Sequence, residues 1–420
     1  MSEQELKRDR SQRSRAASPA APAVIARHGR LKRSRAWKTV LGLVGGAMAV
    51  VLVSTAAVGG IWFYQLTSAI SKNAVVINKT EAPIPEIGAY EGGFNILVVG
   101  SDAYSDRKSN LNDVNILIHV SADQTSAVAV SLPRDMVVPF PSCTDPETGR
   151  KSSPATGLPI NNALYYGGLQ CVVSVVENFT GLDVTYAGMI GFDGVSAMAT
   201  AVGGVQVCTT TKIADPYVGL YLDPGTHELT GWDALAFLRM RHGVGDGSDL
   251  TRISSQQVFL SSLLRKLKSE DTLTNIPKMI SLAQVAASNM TLSQELTQPA
   301  TIVAMAKALN KIPMDRITFV QYPGSTGGTG IYAGKVQPKK ALGDQLMAAI
   351  KADQAIGVEK AGDGRGSTID PNATTPPTPS EPADPSASPT PAPTYSQEVV
   401  IPGVNGQTAA DQTCSVGFKG

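Results

Sequence analysis

The sequence predicts an α/β domain, a mixed central sheet covered by helices on both faces, preceded by one transmembrane helix. Three observations lead there. A charge-free apolar run lies near the N-terminus, short alternating or fully apolar runs bounded by turn residues follow it, and helical patterns separate the later runs. With 420 residues, 42% of them hydrophobic, the chain has ample material for a buried core. Its net charge of +1 conceals an uneven layout.

Residues 1–38 hold eleven Lys and Arg against three acids, Glu3, Glu5 and Asp9, with little that can pack, so a disordered basic tail is expected. From Val40 to Leu66 no residue is charged, which exceeds the roughly 20 residues a helix needs to cross a bilayer. Residues 39–66 are therefore predicted to span the membrane. Trp37 on one side and Trp62, Phe63 and Tyr64 on the other suit the interfacial belts, and the positive-inside rule keeps the tail cytoplasmic. The expectation is a single-pass protein of the cell membrane with an extracellular domain. A cleaved signal peptide is the competing reading, but its apolar core is only about 7–15 residues long.

After a connector at 67–93, FNILVVG, DVNILIHVS and SAVAVSLP read as strands, the last two joined by a hairpin at ADQT. Later strands (VTYAGMI, VQVCTT, RITFVQYP) alternate with helical patterns at Leu169 to Phe179, Phe192 to Val202 and Leu250 to Leu267. Strands separated by helices, with one hairpin, argue for the mixed, doubly covered sheet over residues 94–356.

Cys143, Cys171, Cys208 and Cys414 all lie on the predicted external side with spacings that fit no zinc pattern, so two disulfides are expected. Three pairings are possible; Cys143 with Cys171, the two nearest in the chain, is favoured, which leaves Cys208 for Cys414. Residues 357–395 read as an extended linker, with nine prolines between Pro371 and Pro393. Residues 396–420 regain apolar character and a cysteine, as a tail that folds back and is stapled to the domain.

The stretch FLRMRHGVGDGSDLTRISSQQ, Phe237 to Gln257, gathers three arginines around a glycine-rich turn in a chain that is only 17% charged. A helix is expected to start at Thr230, capped reciprocally by Asp233. A short strand LRMRH is expected next, with Arg239 and Arg241 on one face and Met240 on the other. Asp249 then caps a helix whose buried stripe is Ile253, Gln257, Leu260, Leu264 and Leu267. Arg252 and Gln256 stand one turn apart near its N-terminus, where free amides favour an anion. Guanidinium groups bind phosphate bidentately and stay charged, so three of them suggest a multiply charged phosphate ligand; three solvated surface arginines are the plainer reading. Asp102 follows a strand end, the usual ligand edge of α/β sheets, and Asp113 begins the next strand across from it. Two such carboxylates suit Mg²⁺, although both are also ordinary turn residues. Arg134 and Asp135, in SLPRD, fall at a strand end from which they can join the same site.

Taken together and in order, NILVVGSD, ND before an apolar strand, VSLPRD, INNALYYGG, VVENFTGLDVTYAGMIGFDGVSAMATAVGGVQV and DALAFLRMRH…GDGSDLTRISSQQVFLSSLL resemble the LytR-CpsA-Psr proteins of bacterial cell walls. The resemblance covers about Phe94 to Leu267 and extends more weakly to about residue 350. It implies a phosphotransferase that moves a glycopolymer from a polyprenyl pyrophosphate (undecaprenyl or decaprenyl) to peptidoglycan as a phosphodiester, with Mg²⁺ and an arginine-lined site beside an apolar lipid pocket. A pyrophosphatase side activity is also expected. Carried over to this chain, the resemblance implies that Asp102 and Asp113 hold the metal and that Arg134, Arg239, Arg241 and Arg252 contact the pyrophosphate. Asp249 and Gln256 would orient or hydrogen-bond it. Beside the resemblance, Asp102 and Asp135 are the candidates for general base, and the expected catalytic set is Asp102, Arg134, Asp135, Arg239 and Arg241. Two family cations are missing. Leu111-Asn112-Asp113-Val114 stands where Arg-Ser-Asp-Thr is common, and Pro159 where Lys is common, with Lys108 or Lys151 as substitutes. The rival function is a non-catalytic polyprenyl-phosphate receptor or scaffold in wall assembly. Nucleic acid is not an expected partner, because the basic tail lacks interleaved aromatics; the expected partners are the lipid-linked glycopolymer, peptidoglycan and membrane lipid.

Overall fold

The computed structural model describes residues 36–71, 74–77, 92–102, 110–269, 275–373, 395 and 397–418. The basic tail to residue 35, most of the connector (78–91), residues 103–109 with Lys108, and the proline-rich residues 374–394 lie outside the described residues. The described residues divide into two compact units between Ile61 and Trp62. Helix α1 (Ala36–Ser71) covers the run expected to span the membrane. Its side chains beyond Ser54 are described at only a few positions, and among the described residues no helix is long and apolar enough to cross a membrane.

The central sheet has seven strands: β1 (Phe94–Ser101), β2 (Asn112–Val120), β3 (Ala127–Ser131), β6 (Tyr186–Ile190), β11 (Met290–Leu292), β12 (Ile317–Gln321) and β18 (Gly406–Thr408), in the order β11-β6-β1-β2-β3-β12-β18. β1, β2 and β3 are antiparallel neighbours, β6 joins β1 and β12 joins β3 in parallel, and the two edge strands are antiparallel. The alternation predicted from sequence sorts the side chains. Leu97, Val99, Leu117, Val128 and Val130 bury one face against α2 (Ala163–Thr180) and α8 (Lys340–Lys351) through Val172, Val176, Leu346 and Ile350. Ile96, Val98, Ile116 and Ala129 face the other way, toward α5 (Asp249–Ser269) and α7 (Pro299–Lys311) through Leu260, Leu264, Met305 and Ala308. The sheet is thus mixed and covered on both faces, as expected.

VQVCTT does not belong to that sheet. It forms β7 (Val205–Thr209) in a second sheet with β10 (Gly225–Leu229), β19 (Thr413–Ser415) and β16 (Ser367–Ile369), ordered β10-β7-β19-β16. α3 (Phe192–Ala201) and α4 (Gly231–Arg239) share its core, which includes Phe237, Met240 and Phe259. Two-stranded ribbons pair β4 (Val137–Phe140) with β5 (Ala155–Pro159), β8 (Ile213–Asp215) with β9 (Leu220–Leu222), β13 (Gly324–Ser325) with β14 (Gln337–Pro338), and β15 (Ile356–Gly357) with β17 (Val399–Val400). α6 (Ile276–Asn289) leads into β11.

The linker starts later than composition suggested, because residues 357–373 carry β16 and the end of β15 as paired strands. The tail beyond it adds β18 to the large sheet and β19 to the small one, with disulfides Cys143–Cys171 and Cys208–Cys414 in the favoured pairing. Its docking changes α5. Every residue from Asp249 to Phe259 is buried, rather than a single stripe, and several polar groups of the helix find partners on the tail and its neighbour. Gln407 donates to Gln257 O (3.2 Å) and Ser261 Oγ (2.7 Å), Ser415 Oγ to Ser255 Oγ (3.2 Å), and Ser254 Oγ to Asp363 Oδ2 (2.6 Å).

The Cys208–Cys414 bridge closes a loop of 206 residues, so Cys414→Ala is expected to destabilise the domain by about 2–5 kcal/mol. A protease site engineered within 374–394 checks the staple. After cleavage, non-reducing denaturing electrophoresis should show one species and reductant should release the tail; release without reductant would rule the bridge out.

Candidate active site

The site begins at an irregularity between β1 and β2. Gly100 pairs with Val114 but Ser101 pairs with Asn112, which leaves Asp113 in a bulge. Gly100 is required there, since a Cβ would lie 2.8 Å from that of Val114. Asp102 continues the pairing by donating its N–H to Leu111 O (3.0 Å), and its buried carboxylate accepts from Leu111 N–H (2.7 Å). Asn112, fully buried, donates to Asn115 Oδ1 (2.7 Å) and Ile160 O (3.0 Å) and accepts from Leu164 N–H (3.0 Å), so it fastens the bulge to the start of α2.

Arg134 follows β3 and enters this region, as expected. Its Nη1 donates to Asp113 Oδ2 (2.9 Å), its N–H to Asp249 Oδ2 (3.2 Å), and its Nε lies 3.6 Å from Asp249 Oδ1 and 3.8 Å from Asp135 Oδ2. Arg252 Nη2 donates to Asp113 O (2.9 Å) and lies 2.7 Å from Asp249 Oδ1. Burial lowers the Arg134 pKa, but Asp113, Asp249 and Asp135 outweigh that and hold it above its ordinary value. Burial lowers Arg252, with Asp249 opposing. Both guanidiniums keep their charge at neutral pH. Asp249 is thus no helix cap: it is the first residue of α5 and the counterion of two arginines, while Ser248 Oγ takes the N–H of Thr251 (3.4 Å).

Arg239 and Arg241 reach the same place by a route the pattern did not predict. The helix that follows Thr230 runs on to Arg239, and no LRMRH strand forms. The chain leaves α4 at Met240, which is buried, and Arg239 and Arg241 on either side of it line one cavity. Thr230 ends the preceding extended segment, but its side chain makes no cap bond and the box with Asp233 is absent. Instead Asp215, fully buried, accepts from the N–H groups of Arg241 (2.9 Å) and Gly243 (3.1 Å). The Arg239 guanidinium sits 4.1 Å from the centre of the Phe192 ring, a cation–π contact. Gly245 and Gly247 take left-handed conformations (φ 52° and 75°), and the turn rests on the tail through Gly245 N–H to Val416 O (3.0 Å) and Phe418 N–H to Gly243 O (2.9 Å).

Two cavities meet at these residues. One, about 190 Å³, is lined by Asp113, Arg134, Asp215, Tyr217, Val218, Arg239, Arg241, His242 and Arg252. The other, about 320 Å³, is walled by Val98, Ile116, Ile190, Phe192, Leu235, Phe259 and other apolar side chains, and shares Asp113, Arg239 and Arg252 with the first. The Nε atoms of Arg134, Arg241 and Arg252 are buried without hydrogen-bond partners. Buried donors of this kind are ordinarily satisfied, so three around one opening prepare it for an anion. The arrangement offers a cationic chamber opening onto an apolar one, suited to an amphiphile with a phosphate head.

The remaining candidates sit differently. Gln256 lines the apolar cavity while its amide donates to Leu238 O (2.9 Å), which ties α5 to the last turn of α4. Asp135 lies between Arg134 and Lys335, whose Nζ is 3.7 Å away; Lys335, far along the sequence, is a cation the sequence reading missed. Lys151 is exposed on the loop after Cys143, away from both cavities. Sequence reasoning also missed Asp215, Tyr217 and His242. The His242 ring lies 4.3 Å from that of Tyr217, and its place beside Arg241 in RMRH was the available signal. Among the described residues, the one group of three or more potential metal donors is Cys208, Asp370 and Cys414, of which the two cysteines are joined in a disulfide. Asp113 lines both cavities, whereas Asp102 is buried and lines neither; each offers hard carboxylate oxygens, the donor type that Mg²⁺ takes.

A model of the LytR_cpsA_psr family matches residues 61–348. The cell wall biosynthesis protein LcpA of Corynebacterium glutamicum is 29% identical over 286 residues, 60% of this chain and 54% of LcpA, so the chain spans about half of that relative. The polyisoprenyl-teichoic acid–peptidoglycan teichoic acid transferase TagT of Bacillus subtilis is 25% identical over 324 residues, 74% of this chain and 94% of TagT. In fold, the chain resembles protein gbs0355 of Streptococcus agalactiae (TM-score 0.52, 23% identity, 62% of this chain and 88% of that one). It also resembles Bacillus subtilis TagV (TM-score 0.51, 22% identity, 63% and 98%). The family match takes in the bulge with Asp113, the Arg134 turn, the arginine loop and α5, and the chain belongs to the LytR_cpsA_psr family.

Proposed function

We propose that this chain transfers a glycopolymer from a polyprenyl pyrophosphate to peptidoglycan and leaves a phosphodiester link. One observation carries the reading: the arginine-lined chamber and the apolar cavity share Asp113, Arg239 and Arg252, so one ligand with a charged head and a prenyl tail can fill both. TagT's name as a transferase from polyisoprenyl carrier to peptidoglycan supports the direction of transfer. Helix α1 is proposed as the single membrane anchor, with the basic tail cytoplasmic, because donor and lipid product both stay in the bilayer.

In the reaction, a wall sugar hydroxyl attacks the phosphorus that bears the glycopolymer. A new P–O bond forms, the bond to the bridging oxygen breaks, and polyprenyl phosphate departs. Arg134, Arg239, Arg241 and Arg252 bind the pyrophosphate and stabilise the charge that gathers on the leaving phosphate, and such positioning and electrostatic contributions dominate phosphoryl transfer. Asp135 or Asp102 takes the hydroxyl proton. Mg²⁺ held by Asp102 and Asp113 would add neutralisation of the phosphate oxygens. Water in place of the sugar would give a pyrophosphatase side reaction.

The test is transfer by the full chain in detergent from a polyprenyl pyrophosphate sugar to peptidoglycan, with and without Mg²⁺. Binding without turnover would support the receptor role instead. Arg239→Ala and Arg241→Ala should each weaken pyrophosphate binding about 10- to 150-fold, the value of one hydrogen bond to a charged group. Lys at either position should restore only part, since it lacks the planar fork. Arg252→Ala would also leave Asp249 buried with one counterion fewer, so Arg252→Lys is the cleaner variant there. Asp113→Ala and Asp102→Ala should flatten the Mg²⁺ dependence of turnover; unchanged Mg²⁺ titrations in both would remove the metal site.

A further inference from the structure

A second polar cavity, about 450 Å³, lies on the β4–β5 ribbon away from the arginine site. Its walls are Phe140, Tyr165 and Tyr166 on one side and the loop carrying Asp145, Arg150 and Ser153 on the other. The three rings form a chain of edge-to-face contacts, Phe140 to Tyr166 at 6.0 Å and Tyr166 to Tyr165 at 5.6 Å, running from a buried ring to one that is 61% exposed. Tyr165 thereby presents an open ring face beside the cavity.

The walls are preorganised. The loop is fastened by Cys143–Cys171, by Cys143 N–H to Ser152 Oγ (3.0 Å) and Ser152 N–H to Cys143 O (2.8 Å), and by Asp145 N–H to Arg150 O (2.9 Å). Opposite it, α2 breaks at Gly167 and Gly168, the latter at φ 62°. A Cβ on Gly167 would lie 2.9 Å from Thr144 O, so the helix can lie against this loop only because that residue is glycine. The break leaves the two tyrosines on a separate first turn, beside the cavity.

Residues 143–153 carry two acids, Asp145 and Glu147, and two bases, Arg150 and Lys151, so the wall is neutral and does not suit a polyanion. Among the described residues, the Arg150 guanidinium and the Ser153 hydroxyl form no hydrogen bond within the domain. One exposed aromatic face, that of Tyr165, with hydrogen-bond donors across a fixed cleft matches a neutral pyranose, which presents C–H groups on its faces and hydroxyl and amide groups around its rim. The ribbon also leads to the reacting centre. Ile160 N–H bonds Met136 O (2.9 Å) and Asn161 N–H bonds Arg134 O (3.1 Å), and from Arg134 to Phe140 the chain extends at most roughly 20 Å at about 3.3 Å per residue. A few linked sugars cover that distance.

We propose that this cleft binds the glycan strand of the acceptor, an N-acetylated amino-sugar polymer, and feeds its hydroxyl to the arginine site; the role as acceptor subsite rests on the transfer reading above. The probe is the N-acetylglucosamine tetramer, titrated into the full chain in detergent micelles by NMR or calorimetry, with polyprenyl pyrophosphate titrated separately. Tyr165→Ala should weaken tetramer binding roughly three- to tenfold, and Tyr165→Trp should restore it, because what is lost is a stacking face. In the transfer assay Tyr165→Ala should raise the acceptor KM and leave the donor KM in place. A parent protein that binds the lipid pyrophosphate but not the tetramer, or a Tyr165→Ala protein that binds the tetramer like the parent, overturns the proposal. Tetramer binding that depends on Tyr165 without any transfer leaves the glycan site standing and removes the transferase reading.

Discussion

The Asp249 carboxylate, 4% exposed and wedged between Arg134 and Arg252, is the contact on which the site depends. Taking a carboxylate and two guanidiniums out of water costs several kcal/mol per ion, and only several close partners offset that cost. Asp249 has them: two cations and the Arg134 N–H. Through these contacts α5 is tied to the turn after β3, 115 residues earlier, and through Arg252 to the β2 bulge, 139 residues away. Strand end, turn and helix start are thereby set in register before any ligand arrives, which is the condition for electrostatic catalysis without reorganisation.

The C-terminal tail extends the same logic. α5 carries Thr251, Ser254, Ser255, Gln256 and Gln257 in its buried turns, a composition that would be costly in an apolar core. The Asp363 loop and β19 supply partners for Ser254 and Ser255, β18 bonds the Gln257 carbonyl, and the tail also holds the glycine turn that leads from Arg241 to Asp249. The disulfide to β7 keeps that support in place. The tail therefore builds the arginine site without contributing a residue to it.

Much of this was legible in the sequence where a local pattern decides the outcome. Alternating or fully apolar runs bounded by turns located β1, β2 and β3, and in the structure the pleat puts Leu97 and Ile96 on opposite faces. Chain proximity favoured the observed cysteine pairing. The errors arose where distant residues decide. LRMRH alternates as a strand does and reads as one, but the helix runs on to Arg239 and the buried Asp215, more than twenty residues earlier, holds the exit at Arg241. Asp249 resembles a cap until Arg134 and Arg252 are placed beside it. The all-round burial of α5 could not be seen without the tail, which returns from the far side of a proline-rich segment. Lys335 and Tyr217 reach their positions through tertiary packing and left little trace in spacing, while His242 is marked only by its place beside Arg241.

The central claim is that one ligand occupies the cationic and apolar cavities together. Its most direct test is calorimetric titration of the full chain with farnesyl pyrophosphate and, separately, with inorganic pyrophosphate. If the cavities act as one site, the prenyl chain should tighten binding by roughly tenfold or more, since each buried CH₂ contributes about 0.8 kcal/mol. Equal affinity for the two compounds, or farnesyl pyrophosphate binding that survives Arg241→Ala undiminished, would contradict it.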